Sequence, residues 1–460
     1  MTAVRRGIRR LLARKAVRDT LFLQIGKLIA AGLGVVTALA LYRVLGPASF
    51  GAYRLAESLV GTFWTLDLTG IGISTTTRLA AAAGAGDRDE ILDLLAAHVK
   101  IAALTAAGIA ALTLALAGAA ASAQGEAAAQ IAALAGWLAL GKIADALYLV
   151  PYGALQSRRS MGAFASLQAL NQAALALCLI GAALVSPTAE SLVAGRLTYS
   201  VGTLALAWGL YARFRARGEA VPFPPIGAVL RRAWRFSLHD YRRRYLGYGV
   251  LIALDKNLSN LFIQIPMQVT GAVGGTAAAG FLDLALRAIN YAGVITSALF
   301  DNLTAIIPQA VGRRDYARLW HDFVRIVVGL AAGGALVFGA AAFAAPLLIP
   351  LVLGEAWRPA LPALTALAVC GVVTTVGGVF GPLYRALNLL GRAIAAKMIA
   401  VLIVGAAAPA LFSVDDDPTA ASVIGAWLIN GLYAVSVGLT AWFALRALRR
   451  AARSEREQPD

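Results

Sequence analysis

The sequence predicts an all-α polytopic membrane protein with about twelve transmembrane helices in two pseudo-symmetric lobes of six. Of its 460 residues, 59% are hydrophobic and only 14% are charged, whereas soluble domains carry about 25% charged residues. A transmembrane helix needs about 20 mostly apolar residues, and the chain contains twelve runs of that kind. This composition argues against a soluble enzyme and against a disordered chain, which requires low hydrophobicity.

The twelve apolar runs are separated by short segments that contain glycine, proline or charged residues. In the first lobe the predicted spans are 20–44, 50–73, 94–118, 128–152, 164–185 and 189–212. In the second lobe they are 236–269, 277–307, 323–353, 360–387, 393–412 and 419–448. The seventh run is the least regular, because Asp240 and the arginines at 242–244 stand in its first turns.

The polar segments define the predicted domains. Residues 1–19 form a basic cytoplasmic N-terminus, residues 20–212 the first lobe, and residues 213–235 a cytoplasmic linker that contains Pro222, Pro224 and Pro225. The second lobe covers 236–448, and 449–460 form a cytoplasmic tail. The end of the linker, 226–234, is predicted to be a short amphipathic helix on the membrane surface.

The net charge of +17 comes from basic clusters between the apolar runs. This is the arrangement of charges that set membrane topology, and it predicts that both termini are cytoplasmic. A nucleic-acid partner is not predicted, because its footprint would be a clustered patch interleaved with aromatic residues. The two cysteines and three histidines show no disulfide or metal-ligand spacing, and no phosphate-binding G-x-x-x-x-G-K-[ST] loop is present. The sequence therefore predicts no cofactor and no metal.

The two lobes share an internal repeat. Four residues recur at a constant offset of 229, namely Gly46, Gly51, Leu55 and Ala56 at Gly275, Gly280, Leu284 and Ala285. Two weaker matches, before helices three and nine and at the ends of helices four and ten, have offsets of 226 and 232. Parallel repeats of six helices predict an axis along the membrane normal and a substrate site between the lobes.

The segment Arg43–Gly72, RVLGPASFGAYRLAESLVGTFWTLDLTGIG, resembles the signature of Wzx-type polysaccharide flippases. These belong to the multidrug/oligosaccharidyl-lipid/polysaccharide superfamily, with the lipid II flippases and the multidrug and toxic compound extrusion (MATE) transporters. Leu254-Asp255-Lys256 and Leu353–Trp357 also fit the family, as does Ala279-Gly280-Phe281, although the usual tyrosine is replaced there. Pro308 and Ala386-Leu387-Asn388 complete the resemblance.

The resemblance implies a transporter and not an enzyme. It would flip an undecaprenyl-diphosphate-linked oligosaccharide to the outer leaflet of the bacterial cytoplasmic membrane by alternating access driven by an ion gradient or the membrane potential. The implied partners are this lipid-linked oligosaccharide, membrane lipids, H⁺ or Na⁺, and polysaccharide polymerase machinery. The alternatives are a cation-coupled multidrug exporter or a lipid II flippase on the same fold. A membrane glycosyltransferase is disfavoured, because no sizeable polar loop is available for its site.

Ionisable residues inside the spans are the candidate functional residues, because each costs at least about 2.5 kcal/mol on insertion scales. Cations suit a diphosphate headgroup, and the proposed substrate-binding set is Lys27, Arg242, Arg243, Arg244 and Arg287. The proposed gate or ion-coupling set is Arg54, Glu57, Asp67, Asp255 and Asp283.

The offset of 229 makes a specific prediction about the gate. It places Arg54 equivalent to Asp283, and Glu57 one residue from the equivalent of Arg287. We therefore expect the ion pairs Arg54–Asp283 and Glu57–Arg287 to close the outer side of the cleft. The competing interpretation is an intrahelical Asp283–Arg287 pair at i,i+4. Lys142 and Asp145, at i,i+3, are predicted to form a structural pair.

Overall fold

The structure is a computed structural model that describes residues 15–157, 161–216, 222–312, 316–411 and 417–457. These residues form helices and short connecting segments, with no strand in the described ranges. The first half contains α1 (Lys15–Val44), α2 (Pro47–Trp64), α3 (Ile71–Ala85), α4 (Arg88–Ala121), a 3₁₀ helix (Ser122–Ala127), α5 (Ala128–Ser157), α6 (Met161–Val185) and α7 (Ala189–Phe214). The second half contains α8 (Ile226–Arg235), α9 (Leu238–Gly312), α10 (Tyr316–Leu353), a 3₁₀ helix (Glu355–Ala360), α11 (Leu361–Ala386), α12 (Leu390–Leu411) and α13 (Pro418–Glu457).

Helix α9 contains the seventh and eighth predicted spans. Gly275 separates them with φ 73° and ψ −173°, a conformation outside helical geometry. Glycine adopts positive φ without the penalty that a Cβ atom imposes. We call the segment before Gly275 α9a and the segment after it α9b.

The predicted all-helical membrane fold is confirmed. Within the described residues, seven helical segments are long and apolar enough to cross a membrane. One of these, Arg88–Ser157, contains two of the predicted spans, and another, Gly249–Gly293, contains parts of two. Leu28–Val44 is a shorter apolar helix. The runs 50–73 and 189–212 fall outside this set, although they overlap most of α2 and α7. Their helices carry ionisable residues, among them Arg54 and Glu57 in α2 and Arg196 in α7.

The second predicted span is not one continuous helix, so the prediction of a single helix from 50 to 73 is wrong. Helix α2 ends at Trp64, and α3 begins at Ile71. Between them, Asp67 Oδ1 accepts hydrogen bonds from Thr69 N and Thr69 Oγ1 at 3.1 and 2.6 Å. Gly70 follows with φ 56°, and a Cβ atom there would lie 2.2 Å from the carbonyl oxygen of Gly249. The local turn and this close contact end the helix where hydropathy alone would continue it.

The contacts divide the chain into two compact units. The first combines α1 with Asp67–Leu116 and Leu134–Ala253. The second combines Leu45–Leu66 and Ala117–Ala133 with the chain from Leu254 onward. Helix α2 therefore shares a unit with α9b, whereas the lobes predicted at 20–212 and 236–448 follow chain order. Those lobe boundaries stay a prediction.

The predicted amphipathic segment is present as α8. Its buried residues Val229 and Ala233 join an apolar cluster of the first unit. Arg232 Nε lies 2.6 Å from Asp93 Oδ1, and the hydrogen bond and charge of Asp93 raise the pKa of the Arg232 guanidinium. Lys100 Nζ donates to the carbonyl of Phe236 at 2.7 Å, where α8 ends. These bonds fix α8 to α4, and its position on the membrane surface stays a prediction.

Candidate functional site

Helices α2 and α9b cross at the two repeated glycines. A Cβ atom at Gly51 would lie 1.7 Å from the carbonyl oxygen of Thr276, and one at Gly280 would lie 2.4 Å from that of Pro47. The two backbones are therefore in direct contact, as at membrane helix pairs with small residues at the interface. The contact is reciprocal, since Pro47 and Thr276, like Gly51 and Gly280, are separated by the offset of 229. The repeat found in the sequence thus has a structural counterpart.

One turn beyond this crossing lies a cluster of four charged side chains. Arg54 Nε lies 2.5 Å from Asp283 Oδ1, and Arg287 Nε lies 2.7 Å from Asp283 Oδ2. Arg54 also bonds to Glu57. The predicted Arg54–Asp283 pair is confirmed, and so is the intrahelical Asp283–Arg287 pair that was its alternative. One carboxylate forms ion pairs with both arginines, so the two interpretations do not compete. The Glu57–Arg287 pair stays a prediction.

Asp283 is the centre of this cluster, because its side chain is only 1% exposed. Aromatic rings pack beside the charges. The rings of Phe50 and Phe281 contact Trp357 at centroid distances of 6.4 and 6.3 Å, and the Arg287 guanidinium lies 5.8 Å from the Phe50 centroid. A cation over an aromatic face is stabilised by the ring quadrupole. Two guanidinium and two carboxylate groups are thus held in a partly dehydrated environment with balanced charge.

The rest of α2 is bonded to α9a by polar side chains. Gln268 Nε2 donates to the Leu55 carbonyl at 2.8 Å, and Asn257 Nδ2 donates to the Thr65 carbonyl at 2.8 Å. Ser58 Oγ donates to the Gln264 carbonyl at 3.2 Å. In a low-dielectric environment, polar groups must find such partners. These bonds fix the position of α2, and therefore of Arg54, relative to Asp283.

Asp255 lies at a second charged site in the same unit. Its buried carboxylate is 2.5 Å from Lys397 Nζ through Oδ1 and accepts a hydrogen bond from Tyr384 Oη at 3.1 Å through Oδ2. Lys397 Nζ also donates to the Asp255 carbonyl at 2.8 Å, and Arg385 is 3.8 Å from Oδ2. Helices α9, α11 and α12 are therefore joined at one carboxylate.

The sequence analysis did not identify Lys397 as a functional residue, although the predicted span 393–412 includes it. In the structure, Asn388 has φ 55° in the turn after α11, and α12 begins at Leu390. Asparagine tolerates the left-handed region better than most residues. Lys397 therefore lies inside α12, and its neighbours Ala393, Ala396 and Ala400 on that helix are buried. The sequence signal that could have identified this buried lysine was the helical spacing of small apolar residues around it.

A third charged network lies in the first unit. Asp145 Oδ2 is 2.7 Å from Arg196 NH2, and Asp145 Oδ1 accepts a hydrogen bond from Ser200 Oγ at 2.8 Å. Lys142 Nζ is 3.6 Å from Asp145, so the predicted Lys142–Asp145 pair is confirmed. The closer partner, Arg196, comes from α7, 51 positions along the chain. The Lys142 side chain is 30% exposed.

The other candidate residues are distributed as follows. Asp67 belongs to the turn between α2 and α3 rather than to a helix, and its intramembrane position stays a prediction. The side chains of Lys27, Arg242, Arg243 and Arg244 lie outside the described part of the structure, although their backbones belong to α1 and α9. The described charged candidates of the second unit form two separate groups, one at Asp283 and one at Asp255.

We expect the Asp255–Lys397 pair to be coupled in stability. Lys397→Met should lower the free energy of unfolding by about 3–5 kcal/mol, because it leaves a buried carboxylate without its ammonium partner. Adding Asp255→Asn should recover much of this loss, because no buried charge then lacks its partner and Arg385, which is 64% exposed, can be hydrated. Denaturant titration of both single variants and the double variant in detergent gives the coupling energy. Additive effects of the two substitutions would contradict the pairing.

Solved structures with a similar fold are membrane transporters. The chain is similar to an inward-facing multidrug resistance MATE transporter of the MOP superfamily, with TM-score 0.69, 16% identity and coverage of 92% of this chain and 95% of that chain. It is also similar to the eukaryotic MATE transporter AtDTX14, with TM-score 0.63, 15% identity and coverage of 95% and 99%. A third similar structure is a MOP superfamily transporter from Pyrococcus furiosus, described as having a binding pocket of reverse polarity. Its TM-score is 0.62, its identity is 18%, and the match covers 96% of each chain. The fold is that of the MATE-type transporters.

The family follows from the sequence match. A model of the family described as polysaccharide biosynthesis protein matches residues 16–312, and the chain belongs to that family. The resemblance to polysaccharide flippases of the multidrug/oligosaccharidyl-lipid/polysaccharide superfamily is thereby confirmed at the level of family and fold. No curated protein matches the chain. Family and fold together define a multi-pass membrane transporter.

Proposed function

We propose that this transporter flips an undecaprenyl-diphosphate-linked oligosaccharide from the cytoplasmic to the outer leaflet of the bacterial cytoplasmic membrane. The observation that carries the proposal is the family match over residues 16–312. The fold supports it, because repeats of this kind place a substrate site at the midplane and expose it alternately to the two sides. In this proposal both termini are cytoplasmic, and the exported glycan passes to polysaccharide polymerase machinery.

The diphosphate needs cations that replace its hydration shell. We assign this role to Lys27, Arg242, Arg243, Arg244 and Arg287. Among these, Arg287 has a described side chain, and it is 32% exposed beside Asp283. Its guanidinium has five N–H donors in a fixed planar arrangement, which suits phosphate oxygens. Asp283 holds this group in a defined orientation, so Asp283 positions the cation rather than binding the substrate.

The acidic residues are proposed to couple transport to H⁺ or Na⁺. The candidates are Glu57, Asp67, Asp255 and Asp283. For Asp255, the structure adds a condition, because Lys397 Nζ already lies 2.5 Å from its carboxylate. A proton or a sodium ion would have to displace this ammonium group. Coupling at Asp255 would therefore release Lys397 and loosen α12 from α9. The Arg54–Asp283 pair is proposed to close the outer side of the cleft.

Replacing the proposed diphosphate-binding cations should stop export. Arg287→Ala and Lys27→Ala should each lower flipping of a fluorescent lipid-linked oligosaccharide in proteoliposomes at least about tenfold, the loss expected when a charged hydrogen bond worth about 1.5 kcal/mol is removed. Lys27→Arg should be milder, because the charge is kept. Arg358→Ala is the matched control, since Arg358 is an exposed arginine of the same unit paired with Glu355. Wild-type flipping by both Lys27→Ala and Arg287→Ala would refute the assignment.

A cation-coupled multidrug exporter is the second candidate, because the similar solved structures include multidrug resistance transporters. Such a protein should expel organic cations, for which an acidic cavity is expected. The same proteoliposomes loaded with a cationic dye distinguish the two. Dye export without glycolipid flipping would favour the exporter, and glycolipid flipping without dye export would favour the flippase. A lipid II flippase would accept lipid II in place of the oligosaccharide lipid.

A further inference from the structure

A cavity of about 200 Å³ lies inside the second unit. It is bounded by α9a, α11, α12 and α13, and it is separate from the Arg54–Asp283 cluster. A cavity of about 150 Å³ lined by apolar side chains accommodates one benzene molecule. This cavity is somewhat larger, so it has room for one six-membered ring with substituents.

Hydroxyl groups dominate the polar part of its lining. They belong to Ser259, Thr374, Tyr384, Tyr433, Ser436 and Thr440. Two of them are already used within their own helices, since Ser259 Oγ donates to the Asp255 carbonyl and Thr374 Oγ1 to the Cys370 carbonyl. Within the described residues, Tyr433, Ser436 and Thr440 form no hydrogen bond. These three hydroxyls follow one face of α13, and each can both donate and accept.

The apolar part of the lining is aromatic. Phe262 and Tyr433 pack edge to face with their ring centroids 5.3 Å apart, and Phe380 lies on α11. Ligand sites combine such aromatic walls with a few convergent polar groups that fix orientation. Aromatic rings and hydroxyls together match a molecule with an apolar face and a polar rim.

The charge of the cavity excludes a phosphate as its preferred occupant. Lys397 is the charged residue among its described lining residues, and its ammonium group is paired with Asp255 at 2.5 Å. The pair is neutral as a whole, and Arg385, which is 3.8 Å from Asp255, does not line the cavity. The lining therefore offers no net positive charge to an anion. A neutral ligand with several hydroxyl groups fits this lining better than a diphosphate does.

We propose that this cavity binds one sugar ring of the transported oligosaccharide. A pyranose ring has a face of C–H groups, which would pack on the aromatic rings, and a rim of hydroxyls, which would bond to Tyr433, Ser436 and Thr440. This inference rests on the proposed function and adds that sugar and diphosphate are recognised at different places. It predicts that sugar recognition can be removed while diphosphate binding is kept.

The test compares two ligands on the full-length protein in nanodiscs. One is an undecaprenyl diphosphate that carries a disaccharide, and the other is undecaprenyl diphosphate without sugar. Wild-type protein should bind the first at least about tenfold more tightly. The double variant Ser436→Ala/Thr440→Val removes two hydroxyls at nearly constant volume, and it should lower this ratio by about fivefold or more, as expected for two lost hydrogen bonds. Its affinity for the sugar-free lipid should not change.

A second variant fills the cavity. Gly381 lines it, and a Cβ atom there meets nothing within 4 Å, so Gly381→Val should reduce the affinity ratio towards one. Gly405→Val is the matched control, because Gly405 is an exposed glycine of the same unit that also has no neighbour within 4 Å. An unchanged ratio in the double variant, or an equal loss for both ligands, would overturn the sugar site while leaving the proposed flippase intact. Failure of the wild type to bind or flip either lipid would instead refute the proposed function, and the sugar site with it.

Discussion

Asp283→Ala should destabilise the protein more than any other single substitution in the charged cluster, by about 3–5 kcal/mol in the free energy of unfolding. Its carboxylate is 1% exposed and lies within 2.7 Å of both Arg54 and Arg287. Removing it leaves two guanidinium groups close together with Glu57 as the remaining carboxylate of the cluster. The cost of a buried charge without its partner is far larger than the net benefit of the pair itself.

Arg54→Ala should be milder than Asp283→Ala. Without Arg54, Asp283 keeps its bond to Arg287, and Glu57 is 31% exposed and can be hydrated. Denaturant titration in mixed micelles, followed by tryptophan fluorescence, measures both variants. Glu355→Ala is the matched control, because this acidic residue of an exposed i,i+3 pair should contribute little. Equal losses for Arg54→Ala and Asp283→Ala would show that Asp283 is not the centre of the cluster.

Gly51→Ala should disrupt the crossing of α2 and α9b, at a cost of about 3 kcal/mol or more, the upper range for overpacked sites. The added methyl group would lie 1.7 Å from the Thr276 carbonyl oxygen. The neighbour is backbone, so it cannot rotate away as a side chain could. The helices would have to separate, and the Arg54–Asp283 pair one turn away would separate with them. Gly280→Ala should have a similar effect through the Pro47 carbonyl.

Gly46→Ala is the control for this experiment. Gly46 belongs to the same sequence repeat, but it has φ −72° and nothing lies within 4 Å of its Cβ position. Thermal unfolding in detergent should therefore separate Gly51→Ala and Gly280→Ala from Gly46→Ala. If Gly46→Ala lowered the unfolding temperature as much as the other two substitutions, the repeated glycines would contribute to stability for some reason other than the helix crossing.

The sequence predicted the Arg54–Asp283 pair because both residues belong to a repeat with a constant offset. Equivalent positions of two related helices meet when the helices cross about a local two-fold axis, and Gly51 and Gly280 permit that crossing. The intrahelical pairs Asp283–Arg287 and Lys142–Asp145 were predictable from helical spacing alone. In each case the partner could be found within one helix or by the repeat.

The partners of Asp255 and the closest partner of Asp145 were not predictable in this way. Lys397 is 142 positions from Asp255, and Arg196 is 51 positions from Asp145. Neither pair is related by helical spacing or by the offset of 229. The negative charges of Asp255 and Asp145 inside predicted spans indicated that both residues needed partners, but the sequence did not identify those partners.

The sequence by itself determined that the chain is a helical membrane protein, the approximate extent of its spans, and the one contact that its repeat specifies. These properties follow from local composition and periodicity, which are encoded along the chain. The tertiary structure alone decided the break between α2 and α3, the polar bonds between α2 and α9a, and the pairing of Asp255 with Lys397. The physical reason is that hydropathy measures how well each helix tolerates lipid, whereas packing depends on which helix faces meet and which buried charges can be neutralised there.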